Sequence, residues 1–141
     1  PENPGLERDL GRLYGEIGDF SASRNAFDRA LALEPSESLT YLYLGDMLEK
    51  SGDLRGAAGA FLNAQNLAPF WDRPPNRLGM VYGKLDRPGD GYYYIGRSFM
   101  LQDEDEKAIS SLERAVKIIG ADTPRGKIIQ DELNNLKTRR R

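Results

Sequence analysis

Apolar and small residues recur three and four positions apart along most of the chain, and glycine, aspartate and proline interrupt them at nearly even intervals. The clearest stretch is Leu39 to Pro69. Two helical patterns there are separated by Ser51-Gly52-Asp53 and closed by Pro69, which predicts a helical hairpin. A hairpin this short cannot bury its own apolar face, so it requires neighbours of the same kind.

The neighbours are written in the chain. About 34 positions upstream, Leu10-Gly11 corresponds to Leu44-Gly45 and Gly18-Asp19-Phe20 to Gly52-Asp53-Leu54. Phe27, Ala30 and Pro35 correspond in the same way to Phe61, Ala64 and Pro69. Gly11 and Gly45 fall inside helices, where glycine costs roughly 1 kcal/mol against alanine, so close approach of packed helices is expected there. Phe27 and Phe61 supply bulk between helices, and Ala30 and Ala64 leave room for it. Asp19 and Asp53 stand where a side-chain oxygen can cap the second helix.

A third copy is expected to open near Pro74 or Pro75, with Leu78, Gly79 and Tyr82 repeating the first-helix pattern. Beyond Asp86-Arg87-Pro88-Gly89-Asp90 two registers fit. Gly91, Ile95 and Ser98 suit a second helix. Ile95, Gly96 and Phe99 suit a first helix that Ala108, Leu112 and Ala115 would complete. The sequence leaves open which way the helix at 90–101 packs, and one helix serving both registers is the reading adopted. An amphipathic helix follows at 104–119, stopped by Gly120. A last, polar-backed helix at about 124–138 carries Ile128, Ile129, Leu133 and Leu136 on one stripe, suited to capping an open stack. Thr138-Arg139-Arg140-Arg141 reads as a frayed, solvated tail. The expected fold is all-α and a single domain. It comprises about three hairpins, at 4–37, 38–71 and 72–105, with an extra C-terminal helix pair.

Composition narrows the chemistry. The 141 residues contain neither cysteine nor histidine. Disulfides, zinc–thiolate sites, histidine-dependent triads and the usual general base near neutral pH are thereby removed. The 20 basic and 22 acidic residues nearly balance, so no overall field calls for nucleic acid. No apolar run approaches the roughly 18 residues of a membrane span. Asp103 to Glu106 are consecutive and read as negative charge at a helix start rather than a catalytic pair. Gly79 to Lys84 ends in Gly-Lys, but with the wrong spacing for a phosphate loop and no strand before it. No catalytic residue, cofactor or metal ligand is expected. The opening Pro-Glu-Asn-Pro, with neither initiator methionine nor leader features, suggests a piece of something longer.

Leu10, Gly11, Tyr14, Ser23, Phe27, Ala30 and Pro35, and again Tyr41, Leu44, Gly45, Ala57, Phe61, Ala64 and Pro69, resemble the tetratricopeptide repeat in period and residue type. That resemblance implies a superhelix whose concave groove, lined by the first helix of each hairpin, holds a protein or peptide. Placed on the family pattern, the lining residues are Arg8 and Arg12, then Leu39, Tyr43 and Asp46, then Arg73, Arg77 and Met80, with Tyr93, Tyr94 and Arg97 continuing the line. A basic surface with aromatic interruptions suits an acidic or carboxylate-bearing peptide, because a guanidinium can hold a carboxylate through two parallel hydrogen bonds. Relatives that clamp a C-terminal carboxylate use two asparagines where this chain has Arg12 and Tyr43.

From Leu78 to the final helix, with Tyr92-Tyr93-Tyr94-Ile95-Gly96-Arg97 at its centre, the chain also looks like the repeat-bearing C-terminal region of bacterial periplasmic HExxH zinc metallopeptidases. This weaker resemblance implies a substrate-recruiting or regulatory part, itself without HExxH, and a periplasmic location. The alternative is a free-standing adaptor or assembly scaffold that could self-associate.

Overall fold

The computed structural model describes residues 2–139; Arg140 and Arg141, at the end of the expected tail, lie outside them. Among the described residues there are eight α-helices and no strand. Their contacts fall into two compact units, 1–69 and 70–141.

The first unit holds α1 (Pro4–Glu16), α2 (Phe20–Leu33), α3 (Ser38–Ser51) and α4 (Leu54–Leu67). Consecutive helices pair as two hairpins, and α3 also packs against both α1 and α2. Asp19 and Asp53 cap α2 and α4 as their positions predict: the Ala22 amide donates to Asp19 Oδ1 at 3.1 Å and the Gly56 amide to Asp53 Oδ1 at 2.9 Å. Asn3 does the same for α1, accepting from the Leu6 amide at 3.1 Å.

The helix-interior glycines have a more specific partner than an opposing backbone. A methyl group at Gly11 would stand 2.8 Å from the Phe27 ring, and one at Gly45 would overlap the Phe61 ring. Both rings are fully buried, so each glycine is the floor of a slot that an aromatic side chain fills. Ser23, also buried, donates its hydroxyl to the Gly11 carbonyl at 2.6 Å and so leaves no polar group unmet.

The second unit holds α5 (Arg73–Lys84), α6 (Pro88–Leu101), α7 (Asp105–Ile119) and α8 (Pro124–Arg139). Pro74 and Pro75 lie in the first turn of α5, where a missing amide proton costs nothing. α6 packs closely against both α5 and α7, and α7 packs against α8. Its double role rests on two adjacent residues. Ile95 fills the space beside Gly79, where α5 and α6 also approach backbone to backbone at Gly91, while Gly96 receives Leu112 of α7. In all four cases, Gly11 with Phe27, Gly45 with Phe61, Gly79 with Ile95 and Gly96 with Leu112, the large side chain lies sixteen positions after its glycine. One hundred degrees of helix rotation separates residues 95 and 96, enough to aim one at α5 and the other at α7.

The inter-helix turns use a left-handed residue at matching places. Gly18 and Gly52 have φ of 85° and 93°, whereas Asp86 and Asp103 adopt φ of 59° and 58° in the second unit. An aspartate tolerates that conformation less readily than glycine. On α8 the buried stripe is Ile129, Leu133 and Leu136, with Gly126. Ile128, expected on that stripe, is instead 53% exposed, because the face beside Ile129 and Leu133 continues through Glu132 and Arg125.

Candidate partner-binding site

Of the five residues expected in a groove in the first unit, Arg12 of α1 and Tyr43 of α3 are brought into contact. Arg12 lies over the Tyr43 ring with its guanidinium carbon 4.9 Å from the centroid, and Arg12 Nη1 is 3.4 Å from the Tyr43 hydroxyl. Such a cation–ring contact at a partly exposed site contributes about 0.5–1 kcal/mol and holds a long side chain in place. Arg12 also meets Glu16 at 3.3 Å, and more than half of its side chain remains open to solvent. Leu39 and Tyr43 are half-buried.

Arg8 is differently employed. Its guanidinium contacts Glu37 at 2.5 Å and Asp9 at 3.1 Å, and Thr40 donates to the same Glu37 oxygen at 3.1 Å. The Glu37 contact is also the main reason that the Arg8 guanidinium is raised above its ordinary pKa. Arg8 therefore ties α1 to the α2–α3 connection, and its charge is largely answered within the chain. Asp46 is half-buried and has an interaction of its own.

In the second unit the expected residues separate into two groups. Arg73 and Met80 on α5 are exposed, and Arg77 is half-buried with an interaction of its own. Tyr93 and Tyr94, expected along an open groove, are buried. The reason is an aromatic and cationic cluster that the sequence did not announce. Tyr82 stacks on Tyr94 with centroids 5.4 Å apart, and Tyr93 meets Tyr94 edge-on at 5.0 Å. Arg125, from the first turn of α8, covers Tyr93 at 4.6 Å and Tyr94 at 5.7 Å. Arg87 lies over Tyr82 at 5.1 Å, and Arg97 over Tyr93 at 5.8 Å.

Arg97 closes the cluster by pairing with Glu132 of α8 at 2.9 Å. The second carboxylate oxygen of Glu132 is buried without a hydrogen-bond partner. Burial raises the Glu132 pKa, with Arg97 acting in opposition, and burial also pushes the Tyr93 hydroxyl up. Arg125 and Glu132 were legible only as polar residues of a terminal helix. Their spacing of seven, bracketing Ile129, was the signal that places them on its inward face. Tyr92, the first of the tyrosine run, is half-exposed beneath Arg114 at 5.5 Å.

Among the described residues, no three acidic side chains converge as a metal site, and no helix is long and apolar enough to cross a membrane.

Comparison with known proteins follows the same division of the chain. Residues 8–70 match one family description, tetratricopeptide repeat, and residues 90–118 match a second of the same description. The second match begins in α6 and ends in α7, so it takes α6 as a first helix, while the packing of Ile95 against Gly79 keeps α6 a second helix to α5. The chain is 32% identical over 103 residues to the lipoprotein NlpI homolog of Haemophilus influenzae, covering 73% of this chain. It spans about 30% of that relative's length. The crystal structure of MamA superposes with a TM-score of 0.69 at 19% identity, over 96% of this chain and 75% of that one. That likeness is one of fold.

Proposed function

This chain is a tetratricopeptide-repeat domain, and from that premise we propose that it is a non-catalytic interaction module that holds an acidic or carboxylate-bearing segment of a partner protein. The observation that carries the reading is the Arg12–Tyr43 pair, a fixed and largely open guanidinium beside an aromatic ring on the shared face of α1 and α3. A partner carboxylate could take the free edge of Arg12 while its apolar neighbour rests on Tyr43 and Leu39. Asp46 bounds that face. In the second unit Arg73, Arg77 and Met80 form the corresponding part of the proposal. Arg97, Tyr93 and Tyr94 serve it as scaffold, since their contacts are made within the unit.

The test is a titration with an acidic peptide bearing a free C-terminal carboxylate. Arg12→Ala and Tyr43→Ala are each expected to weaken binding about tenfold, or about 1.4 kcal/mol, with little change in melting temperature. Charge reversal of Arg73 with Arg77 should weaken it as well. Unchanged affinity in all three variants would remove the groove reading. A finer proposal, that the module recruits substrate for a periplasmic zinc metallopeptidase, rests on the resemblance from Leu78 onward. It requires an HExxH motif and a leader upstream in the parent gene. The adaptor alternative requires their absence.

A further inference from the structure

On a different side of α6 from the tyrosine cluster, a cavity of about 230 Å³ opens between α5 and α6, lined by Gly79, Gly83, Pro88, Gly91, Tyr92 and Ile95. It exists because the third hairpin is built from smaller residues than the first. Two periods earlier, Phe27 and Ser23 stand where α6 has Ile95 and Gly91, and Gly15 stands where α5 has Gly83. A methyl group at Gly15 would meet Met47 at 3.2 Å and the Ser23 hydroxyl at 3.3 Å, whereas one at Gly83 would meet nothing within 4 Å. Side chains of the first unit thus take up space that the third hairpin leaves open. The helices that follow are engaged elsewhere. Leu112 and Ile119 of α7 pack at Gly96 and Gly89 of α6, and α8 meets α6 through Arg125 and Glu132. A cavity of about 150 Å³ takes up a benzene ring, so this one admits a large apolar side chain.

Charge identifies the occupant. Phe99 continues the face of α6 that carries Tyr92 and Ile95, and α7 lays a cation over each ring: Arg114 stands 5.5 Å from the Tyr92 centroid and Lys107 5.7 Å from that of Phe99. Both side chains are exposed, and Lys107 has one loose contact, to Glu104 at 3.8 Å. The first unit has the same groove without the charge. Tyr41, Leu44 and Leu48 of α3 line it, with Gly56 and Asn63 on the α4 wall. Matched through Gly45 with Gly96 and Phe61 with Leu112, those two wall residues stand where α7 has Lys107 and Arg114. Seven positions separate the cations, about 10 Å along a helix and the reach of about three residues of extended chain. We propose that the groove of α5, α6 and α7 seats an extended acidic segment of a partner protein, with one large apolar side chain in the cavity and carboxylates on Arg114 and Lys107. The desolvated anchor supplies affinity, and the exposed cations fix direction and choice of partner.

The probe is a labelled synthetic peptide with a phenylalanine followed by glutamates at the next position and three beyond it, titrated against the whole chain by fluorescence anisotropy. Arg12→Ala with Tyr43→Ala is the background, so that the site proposed in the first unit does not contribute. The peptide is expected to bind, and versions with serine for phenylalanine or lysine for glutamate to bind at least about tenfold more weakly. Gly83→Leu fills the cavity from an exposed helical position where an added side chain meets no neighbour, so it should abolish the preference for phenylalanine while leaving the melting temperature no lower. Lys107→Glu with Arg114→Glu should reverse the preference between the glutamate and lysine peptides without touching the cavity. Equal binding of the phenylalanine and serine peptides, or indifference to both sets of variants, would overturn the proposal. So would sedimentation showing a dimer that Gly83→Leu dissociates, which would make a second copy the occupant. Binding of 4-phenylbutyrate as tight as that of the peptide would overturn it too, by making a free small acid the ligand.

Discussion

Replacing Gly45 by alanine tests the account of the fold most directly, because two known effects oppose each other at that position. Alanine in a helix interior is favoured over glycine by roughly 1 kcal/mol. Against this, the added methyl would overlap the Phe61 ring, which is fully buried and has nowhere to retreat. Overpacking of a dense core costs about 1–3 kcal/mol, so a net loss of up to about 2 kcal/mol is expected for Gly45→Ala. Gly59 provides the internal control. It lies in α4 of the same unit, and a methyl there would meet nothing within 4 Å, so Gly59→Ala should gain about 1 kcal/mol. The assay is denaturant unfolding followed by circular dichroism, with thermal melts alongside. For a unit of this size each kcal/mol corresponds to roughly 4–8 °C. The coupling can be measured as well. In a Phe61→Leu background the alanine at 45 should cost at least about 1 kcal/mol less than in the parent, since the ring that opposes it is gone. The reasoning fails if both alanine variants move stability in the same direction, or if the double-mutant cycle shows no coupling.

Three further outcomes follow from the turns and from the buried cluster. Asp86→Gly and Asp103→Gly should each stabilise the second unit by about 0.5–1 kcal/mol, because they relieve a left-handed conformation that Gly18 and Gly52 already meet in the first; chemical denaturation measures it. Glu104→Asp should add a capping acceptor to α7, whose start has no side-chain cap bond, for a gain of about 1 kcal/mol by the same assay. Glu132 has a raised pKa, so its ionisation opposes folding: that cost is present above the folded pKa and is relieved as pH falls toward the ordinary value of 4.5. Glu132→Gln should therefore lose its advantage over the parent protein as pH is lowered from 7 to 4.5, a trend that stability curves at successive pH values will register or refute.

Most of the architecture is legible because repetition makes it so. Gly45, Phe61, Ala64 and Asp53 each have a counterpart thirty-four positions earlier, and a residue type that recurs at a fixed offset reports a fixed environment. The burial of Tyr93 and Tyr94 was not legible, because besides Tyr82 of α5 it depends on Arg125 of α8, a helix that carries no copy of the repeat. Ile128 was misplaced for the same reason: on a helix with few apolar residues, two adjacent isoleucines offer two equally good stripes, and only Arg125 and Glu132 decide between them. Arg8 looked like a groove residue because helical position fixes direction but says nothing of a carboxylate arriving from Glu37. Arg12 and Tyr43 were placed on a common face by position alone, and their contact came from the side-by-side packing of α1 and α3.

The shared helix α6 has a consequence for how the second unit comes apart. A stack of independent hairpins can fray from either end, because removing one hairpin leaves the contacts inside the next intact. Here the glycine that receives Leu112 and the isoleucine that fills the space beside Gly79 are consecutive residues of one helix. Loosening α5 exposes one side of α6, and loosening α7 exposes the other, so no seam exists along which the unit divides into complete pairs. The three helices are expected to open as one cooperative element, so amide exchange along α5, α6 and α7 should converge on a single opening free energy rather than step down hairpin by hairpin.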